Sequence, residues 1–185
     1  LTLKNANSSI NSVVEVGKDG IAINGIYDKS GTYKLTLESP NGHIKLGGDK
    51  ATGIAAIAKN TAGLKVDIIN KGKIETTSGE QTTGIYGKGA NITNQAGAQI
   101  NIGAKGVGIY TTNDSSLENT TLNNAGEINL EGDEAVGIVA VKAKTNQDFV
   151  VGKITGTKNK LVGAYFKESL AATKVKDFDI SLGDN

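Results

Sequence analysis

Apolar and polar residues alternate along this chain in short runs that return at similar intervals. Within each run the apolar side chains stand two positions apart, as in Val14 and Val16 or Ile44 and Leu46. This period is typical of a short β-strand with one buried face, whereas the 3.6-residue period of an amphipathic helix is missing. Further runs of this kind contain Ile100 and Ile102, Ile128 and Leu130, and Ile180 and Leu182.

Most of these runs are followed, 8 to 10 residues after their first Ile, by Gly-Ile and an apolar or aromatic residue. The first Ile of successive copies (44, 74, 100, 128 and 154) recurs after 30, 26, 28 and 26 residues. Such self-similarity indicates an array of stacked repeats. The copies read Gly53-Ile54-Ala55, Gly84-Ile85-Tyr86, Gly108-Ile109-Tyr110, Gly137-Ile138-Val139 and Gly163-Ala164-Tyr165.

Each copy offers three short strands, for example at 43–47, 52–58 and 63–69 in the second copy, and at 99–103, 106–111 and 117–122 in a later one. Three strands and three turns in about 26–30 residues predict an all-β fold, a parallel β-helix with three strands per coil. The general bias of parallel crossovers predicts that it is right-handed. We expect one domain over 1–185, with an irregular first coil within 1–40, regular coils over 41–185 and both ends open.

The main alternative is an antiparallel sandwich or barrel, which also uses short strands and frequent turns. Asn-Gly, a strong hairpin signal, occurs only at Asn24-Gly25 and Asn41-Gly42, and like residues recur at like positions in each copy. Both observations favour stacked coils. Asn corners also repeat before the first strand of a coil, which predicts amide side chains bonded to one another along the stack. These corners are Asn70-Lys71-Gly72, Asn94-Gln95-Ala96-Gly97 and Asn124-Ala125-Gly126.

The composition argues against several functional classes. The 20 basic residues are all Lys and are balanced by 19 acidic residues, so the chain lacks the excess of positive charge that is typical of nucleic-acid-binding proteins. Without Arg the chain lacks the planar fork that binds phosphate and carboxylate bidentately. Without Cys it has neither a disulfide framework nor a thiolate metal site, and no apolar stretch approaches 18 residues.

Candidate chemistry is sparse, and we predict no catalytic, cofactor-binding or metal-binding residues. The single His, His43, has no partner at a diagnostic spacing and is interpreted as an exposed turn residue. One turn of the repeat is acidic in most copies, but one carboxylate per coil provides too few ligands for Ca²⁺. These acidic residues are Asp19, Asp49, Glu80, Asp133 and Asp184.

The aromatic position of the repeat is the candidate partner-contact site. If the preceding Ile points inward, Tyr86, Tyr110 and Tyr165 point outward in one column, with Tyr86 and Tyr110 about 4.8 Å apart. Exposed Tyr rings form a rigid amphipathic contact surface, although they also stabilise a sheet by packing on each other. Two longer excursions, at 112–119 and 142–148, are expected to project as loops on one side.

The Gly-Ile-Tyr signature, the Asn-x-Gly corners and the Lys- and Asn-rich composition without Arg resemble the passenger regions of fusobacterial autotransporter adhesins. The stretch 83–94 and Gly106-Val107-Gly108-Ile109-Tyr110 resemble their repeat most closely. The resemblance covers roughly 40–185, while in 1–40 only Gly20-Ile21-Ala22 resembles the repeat. Fusobacterial autotransporter adhesins are outer-membrane proteins that are exported by type V secretion.

The resemblance implies an extracellular segment at the bacterial cell surface, exported through a C-terminal outer-membrane β-barrel that this segment lacks. It implies attachment to host cells or other bacteria through a protein or glycan receptor. A purely structural spacer that presents a distal tip is the alternative. A polysaccharide-processing enzyme is a third possibility, to be tested by turnover on acidic polysaccharides.

Overall fold

The computed structural model describes residues 1–113, 120–143, 149–168 and 175–183. Every regular element in these ranges is a β-strand, and the strands pair in parallel. They wind into a β-solenoid of about 6 turns with three faces, as the repeat predicts. No helix in the described part of the chain is both long and apolar enough to cross a membrane.

The chain contributes successive strands to three faces of the solenoid in a fixed order. Face 1 is the 7-stranded sheet, and faces 2 and 3 form one 12-stranded sheet because β17 and β19 each continue around the corner between them. Face 1 contains β1 (Thr2–Lys4), β4 (Ile21–Tyr27), β7 (Thr52–Ala58), β10 (Thr83–Lys88), β13 (Val107–Thr112), β16 (Val136–Val141) and β18 (Val162–Lys167). Face 2 contains β2 (Ser8–Ile10), β5 (Gly31–Leu37), β8 (Leu64–Asn70), β11 (Asn91–Asn94), β14 (Leu122–Asn124) and the first halves of β17 (Phe149–Gly156) and β19 (Val175–Leu182). Face 3 contains β3 (Val13–Val16), β6 (His43–Gly47), β9 (Lys73–Ser78), β12 (Gln99–Ile102), β15 (Glu127–Leu130) and the second halves of β17 and β19.

Equivalent residues of successive coils stack directly on one another. On face 3 the first Ile of each copy pairs in register with that of the next, and all except the outermost are fully buried. These side chains and their counterparts on the other faces form one continuous core. A single coil buries too little apolar surface to offset its backbone entropy, so the coils stabilise one another. The stacked residues are Val14, Ile44, Ile74, Ile100, Ile128, Ile154 and Ile180.

The predicted Asn ladder is present in the core. The Asn70, Asn94 and Asn124 side chains are fully buried on face 2. Asn70 Nδ2 donates to Asn94 Oδ1 at 2.8 Å, and Asn94 Nδ2 donates to Asn124 Oδ1 at 2.7 Å. Backbone groups complete the ladder, since Gly72 N donates to Asn70 Oδ1 and Asn124 Nδ2 donates to the Val151 carbonyl. Every amide is therefore bonded, as burial of a polar group requires.

The N-terminal region stacks in the same register as the later coils. Ile23 pairs with Ile54, so Ala22-Ile23 occupies the place of Gly53-Ile54. The expectation that Gly20-Ile21-Ala22 is the equivalent motif is wrong by two residues, because strand pairing and burial set the register here. Strands β1 and β2 precede this coil and pair with β4 and β5.

Predicted strand positions agree closely for the second coil, where 43–47 and 52–58 are observed and 63–69 is observed at Leu64–Asn70. One predicted strand, at 117–122, differs. The observed strand β14 is Leu122–Asn124, and residues 114–119 lie outside the described part of the chain. Along the chain, the excursions at 112–119 and 142–148 each follow a face 1 strand and precede a face 2 strand. The expectation that they project as loops falls on residues 114–119 and 144–148, which lie outside the described ranges.

Candidate functional site

The candidate contact residues lie on face 1, where Tyr86 pairs in register with Tyr110, Tyr110 with Val139, and Val139 with Tyr165. Ala55 and Asn24 continue the line toward the N-terminus. We call Asn24, Ala55, Tyr86, Tyr110, Val139 and Tyr165 the tyrosine column. The structure thus brings all three predicted Tyr residues into one column on one sheet.

The local cause of this arrangement is a pair of consecutive buried residues, Gly and Ile, before each position of the column. Gly84 and Ile85 are both buried, and strand pairing skips Gly84. A Cβ on Gly84 would lie 2.6 Å from the Gly108 carbonyl oxygen and 2.8 Å from Ile100 Cγ2. Glycine is therefore required by close approach of the next coil, and the residue after the Ile is directed outward. The same approach, at 2.5–2.6 Å, recurs at Gly53, Gly108 and Gly137.

The Tyr86 and Tyr110 rings stack on each other, with centroids 5.6 Å apart and planes 29° apart. Offset stacking of this kind stabilises the sheet by about 0.5–1.5 kcal/mol beyond the buried area. Burial raises the pKa of the Tyr86 hydroxyl, and Tyr110 adds to that shift while the positive charge of Lys88 opposes it. Both residues are half-buried, so part of each side chain remains exposed to solvent.

Tyr165 differs from the other two because Val139 separates it from Tyr110. Its side chain is 49% exposed, the most exposed aromatic ring of the column. The column therefore has a stacked pair at one end and a single open ring at the other, with an aliphatic position between them.

Two further outward columns flank the tyrosine column and were not recognised from the sequence. The valine column lies at the start of each strand and contains Ile21, Thr52, Thr83, Val107, Val136 and Val162. The lysine column lies at the end and contains Lys4, Ile26, Ile57, Lys88, Thr112, Val141 and Lys167. The sequence signal for the valine column was available, since most copies have a β-branched residue directly before the Gly.

The Asn corners cannot serve as an exposed binding site, since their side chains are buried and paired within the ladder. His43 is also not an exposed turn residue as predicted. It is the first residue of β6 and half-buried, with Nε2 2.8 Å from Glu75 Oε1. Burial raises the pKa of Glu75, but Lys73 and His43 outweigh that effect and lower it.

The acidic turn residues lie at the corner between face 3 and face 1. Each described coil has one non-glycine residue there in the left-handed region, and in the first five of them its N–H donates to a carbonyl oxygen of the next coil. In the described residues no three His, Cys, Asp or Glu side chains come together to hold a metal ion. Asp184 lies outside the described ranges. The left-handed residues are Asp19, Lys50, Gln81, Lys105, Glu134 and Lys160.

Comparisons with protein-family models, with curated proteins and with solved structures find no match to this chain. The fold and the arrangement of face 1 are therefore the observations that bear on its function.

Proposed function

We propose that this chain is an extracellular segment of a bacterial autotransporter adhesin and that it supports attachment to host cells or other bacteria. The observation that carries the proposal is the outward column on face 1, in which Tyr86, Tyr110 and Tyr165 share one line of a regular solenoid. Large, rigid aromatic side chains of this kind dominate the energetics of protein contacts. The resemblance of the repeat to autotransporter passengers supports the location at the cell surface.

The contact surface in this proposal is non-catalytic. Tyr rings on a sheet provide apolar surface together with hydroxyl groups, which suits recognition of either a protein or a glycan receptor. The sheet beneath them holds the rings in place, because each strand of face 1 is paired on both sides through most of the column. A receptor therefore meets a surface that loses little conformational entropy on binding.

A purely structural spacer is the second candidate, and the regular stacking favours it. Successive coils pair in register over all three faces, so the segment is a stiff rod that can hold another region away from the membrane. In that case attachment is a property of other parts of the protein, and the tyrosine column only stabilises the sheet.

Binding of the purified chain to host cells or to partner bacteria separates the two candidates. We expect the double variant Tyr86→Ser/Tyr110→Ser to lose at least tenfold in binding, because it removes the stacked pair of rings. Protease or glycosidase treatment of the target cells then distinguishes a protein receptor from a glycan receptor.

The matched control is Ile69→Ser/Asn123→Ser, which changes two outward positions on face 2. Circular dichroism should show the same β content for both double variants. Unchanged binding of the Tyr variant would exclude the tyrosine column as a contact. Failure of the unmodified chain to bind any target would instead favour the spacer.

A further inference from the structure

Face 1 differs from the other two faces in its charge. Its seven strands contain three lysines, all in the lysine column, and no carboxylate. The outward positions of face 3 instead carry both signs, often paired, as in Lys45 with Glu15 at 3.4 Å and Lys153 with Glu127 at 2.6 Å. Face 2 also carries both signs, at Lys34, Lys65 and Asp67.

The outward surface of face 1 is largely apolar in consequence. It is widest in the C-terminal coils, where the valine and tyrosine columns both consist of large apolar or aromatic residues. At the last of these coils Val162 is 40% exposed and Tyr165 is 49% exposed. An exposed apolar surface with a polar rim marks an interaction site when it covers more than roughly a few hundred Å². Its members in these coils are Val107, Tyr110, Val136, Val139, Val141, Val162 and Tyr165.

We propose that face 1 is a self-complementary surface on which a second copy of this chain docks. The two sheets pack face to face around a two-fold axis parallel to the solenoid axes, so that both solenoids run in the same direction. The tyrosine column of one copy then lies over the tyrosine column of the other, and Val139 faces Val139 of the second copy.

The charges on the two edges of face 1 select this orientation. Among the described residues, the edge where the strands end is rich in lysine, with Lys4, Lys59, Lys88, Lys142 and Lys167 against two carboxylates, Asp28 and Glu168. The edge where they start carries five carboxylates, Asp19, Asp49, Glu80, Asp133 and Glu134, together with Lys18, Lys50, Lys105, Lys158 and Lys160.

A two-fold axis along the solenoid places the lysine-rich edge of each copy beside the edge of the other on which five carboxylates balance five lysines. A two-fold axis along the strands would instead place the two lysine-rich edges together, where like charges repel. The first arrangement is isologous, which is the usual form of a homodimer interface.

The area of face 1 is sufficient for a weak, specific dimer. Seven strands spaced about 4.8 Å apart, each about six residues of 3.3 Å, cover on the order of 600 Å² per copy. Two such surfaces bury roughly 1,200 Å² in total, at the lower limit of standard specific interfaces. We therefore expect a dissociation constant of roughly 10 µM to 1 mM, typical of a transient contact.

Sedimentation equilibrium of the chain over a range of concentrations tests the proposal. We expect a monomer–dimer equilibrium whose association constant falls at least tenfold in Val139→Lys, since the two-fold axis brings two unpaired ammonium groups into the apolar interface. Val162→Lys, at a more exposed position of the same face, should act in the same direction. The matched control Asn123→Lys on face 2 should leave the association constant unchanged.

The result also has to distinguish pairing through face 1 from stacking of solenoid ends. Phe178 and Ile180 in the last strand β19 are exposed, so Phe178→Lys probes that end. Association that is abolished by Phe178→Lys but insensitive to Val139→Lys would overturn the proposal. A chain that remains monomeric up to about 1 mM would overturn it as well, given the affinity expected for this area.

The orientation is tested by crosslinking, because the chain contains no native Cys. Packed sheets lie about 10 Å apart, too far for a direct disulfide but within reach of a short bis-maleimide. Val139→Cys should give crosslinked dimers, and Asn123→Cys should not. Val136→Cys mixed with Val141→Cys should crosslink better than either alone, since the valine column of one copy faces the lysine column of the other.

This pairing is independent of the proposed attachment function, although both use face 1. Dimerisation is measured with the chain alone, so its absence leaves receptor binding open. Attachment to cells is measured well below the dimer dissociation constant, where the tyrosine column is uncovered. Each proposal can therefore fail without the other.

Discussion

At the scale of single residues, the buried polar groups of this protein depend on one another. Asn94 is bonded on both sides, so its amide cannot be lost without leaving Asn70 Nδ2 and Asn124 Oδ1 unpaired in the core. A buried group left without a partner costs about 1–3 kcal/mol. The ladder ends at aliphatic positions, since Leu37 pairs with Asn70 and Val151 follows the residue that pairs with Asn123.

We therefore expect Asn94→Val to lower the free energy of unfolding by about 2–6 kcal/mol, as measured by chemical denaturation. The triple variant Asn70→Val/Asn94→Val/Asn124→Val should cost about as much as the single one, because it leaves only the Gly72 N–H and the Val151 carbonyl without their partners. The control Asn123→Val, exposed on the same strand as Asn124, should change stability by less than about 0.5 kcal/mol. Additive losses in the triple variant would contradict the coupling.

At the scale of the element, the strands of face 1 owe their shape to the glycine that precedes each buried Ile. The carbonyl oxygen of the next glycine occupies the space where a Cβ would stand, so adjacent coils are held in close approach along this line. The glycine and the Ile are both buried, and this pair directs the following residue to the outside.

Gly84→Ala should therefore destabilise the solenoid by about 1–3 kcal/mol, since the obstructing atoms belong to the backbone of the next coil and to Ile100. Gly17→Ala is the matched control, because nothing lies within 4 Å of its added Cβ. Thermal unfolding of the two variants measures the difference. An equal effect at both positions would mean that backbone entropy, and not close packing, decides the role of glycine here.

At the scale of the whole molecule, stability is a sum over coils and over the contacts between them. Each coil contacts only its neighbours, and the register shows where one can be removed. Lys73 pairs with Gln99, so a deletion of residues 73–98 joins Gly72 to Gln99 at equivalent positions of the repeat. Asn124 then follows Asn70 directly in the ladder.

The 26-residue deletion 73–98 should fold into a solenoid one coil shorter, with a cooperative but weaker unfolding transition. A deletion of half that length from the same start should not fold, because it places face 1 residues on face 3 and breaks the register. Circular dichroism and denaturant titration of the two variants provide the measurement. Equal behaviour of both deletions would contradict the one-dimensional stack.

The sequence alone determined the fold class, which residues of most strands face inward, and the column that Tyr86, Tyr110 and Tyr165 share. These follow from local chemistry repeated at a fixed spacing: alternating aliphatic residues, Gly before Ile and Asn at one corner. The repeat can be recognised in the sequence because every coil contacts its neighbours through equivalent positions. The Asn ladder was predictable for the same reason.

Features that depend on contacts between successive coils could be seen only in the tertiary structure. The place of Ala22-Ile23 in the register depends on pairing with β7, and the contact of His43 with Glu75 joins residues in successive coils. The apolar, carboxylate-free character of face 1 appears only when strands about 26–30 residues apart are stacked. A surface is a property of many coils at once, so it is formed by the winding of the chain and cannot be assigned to any single repeat.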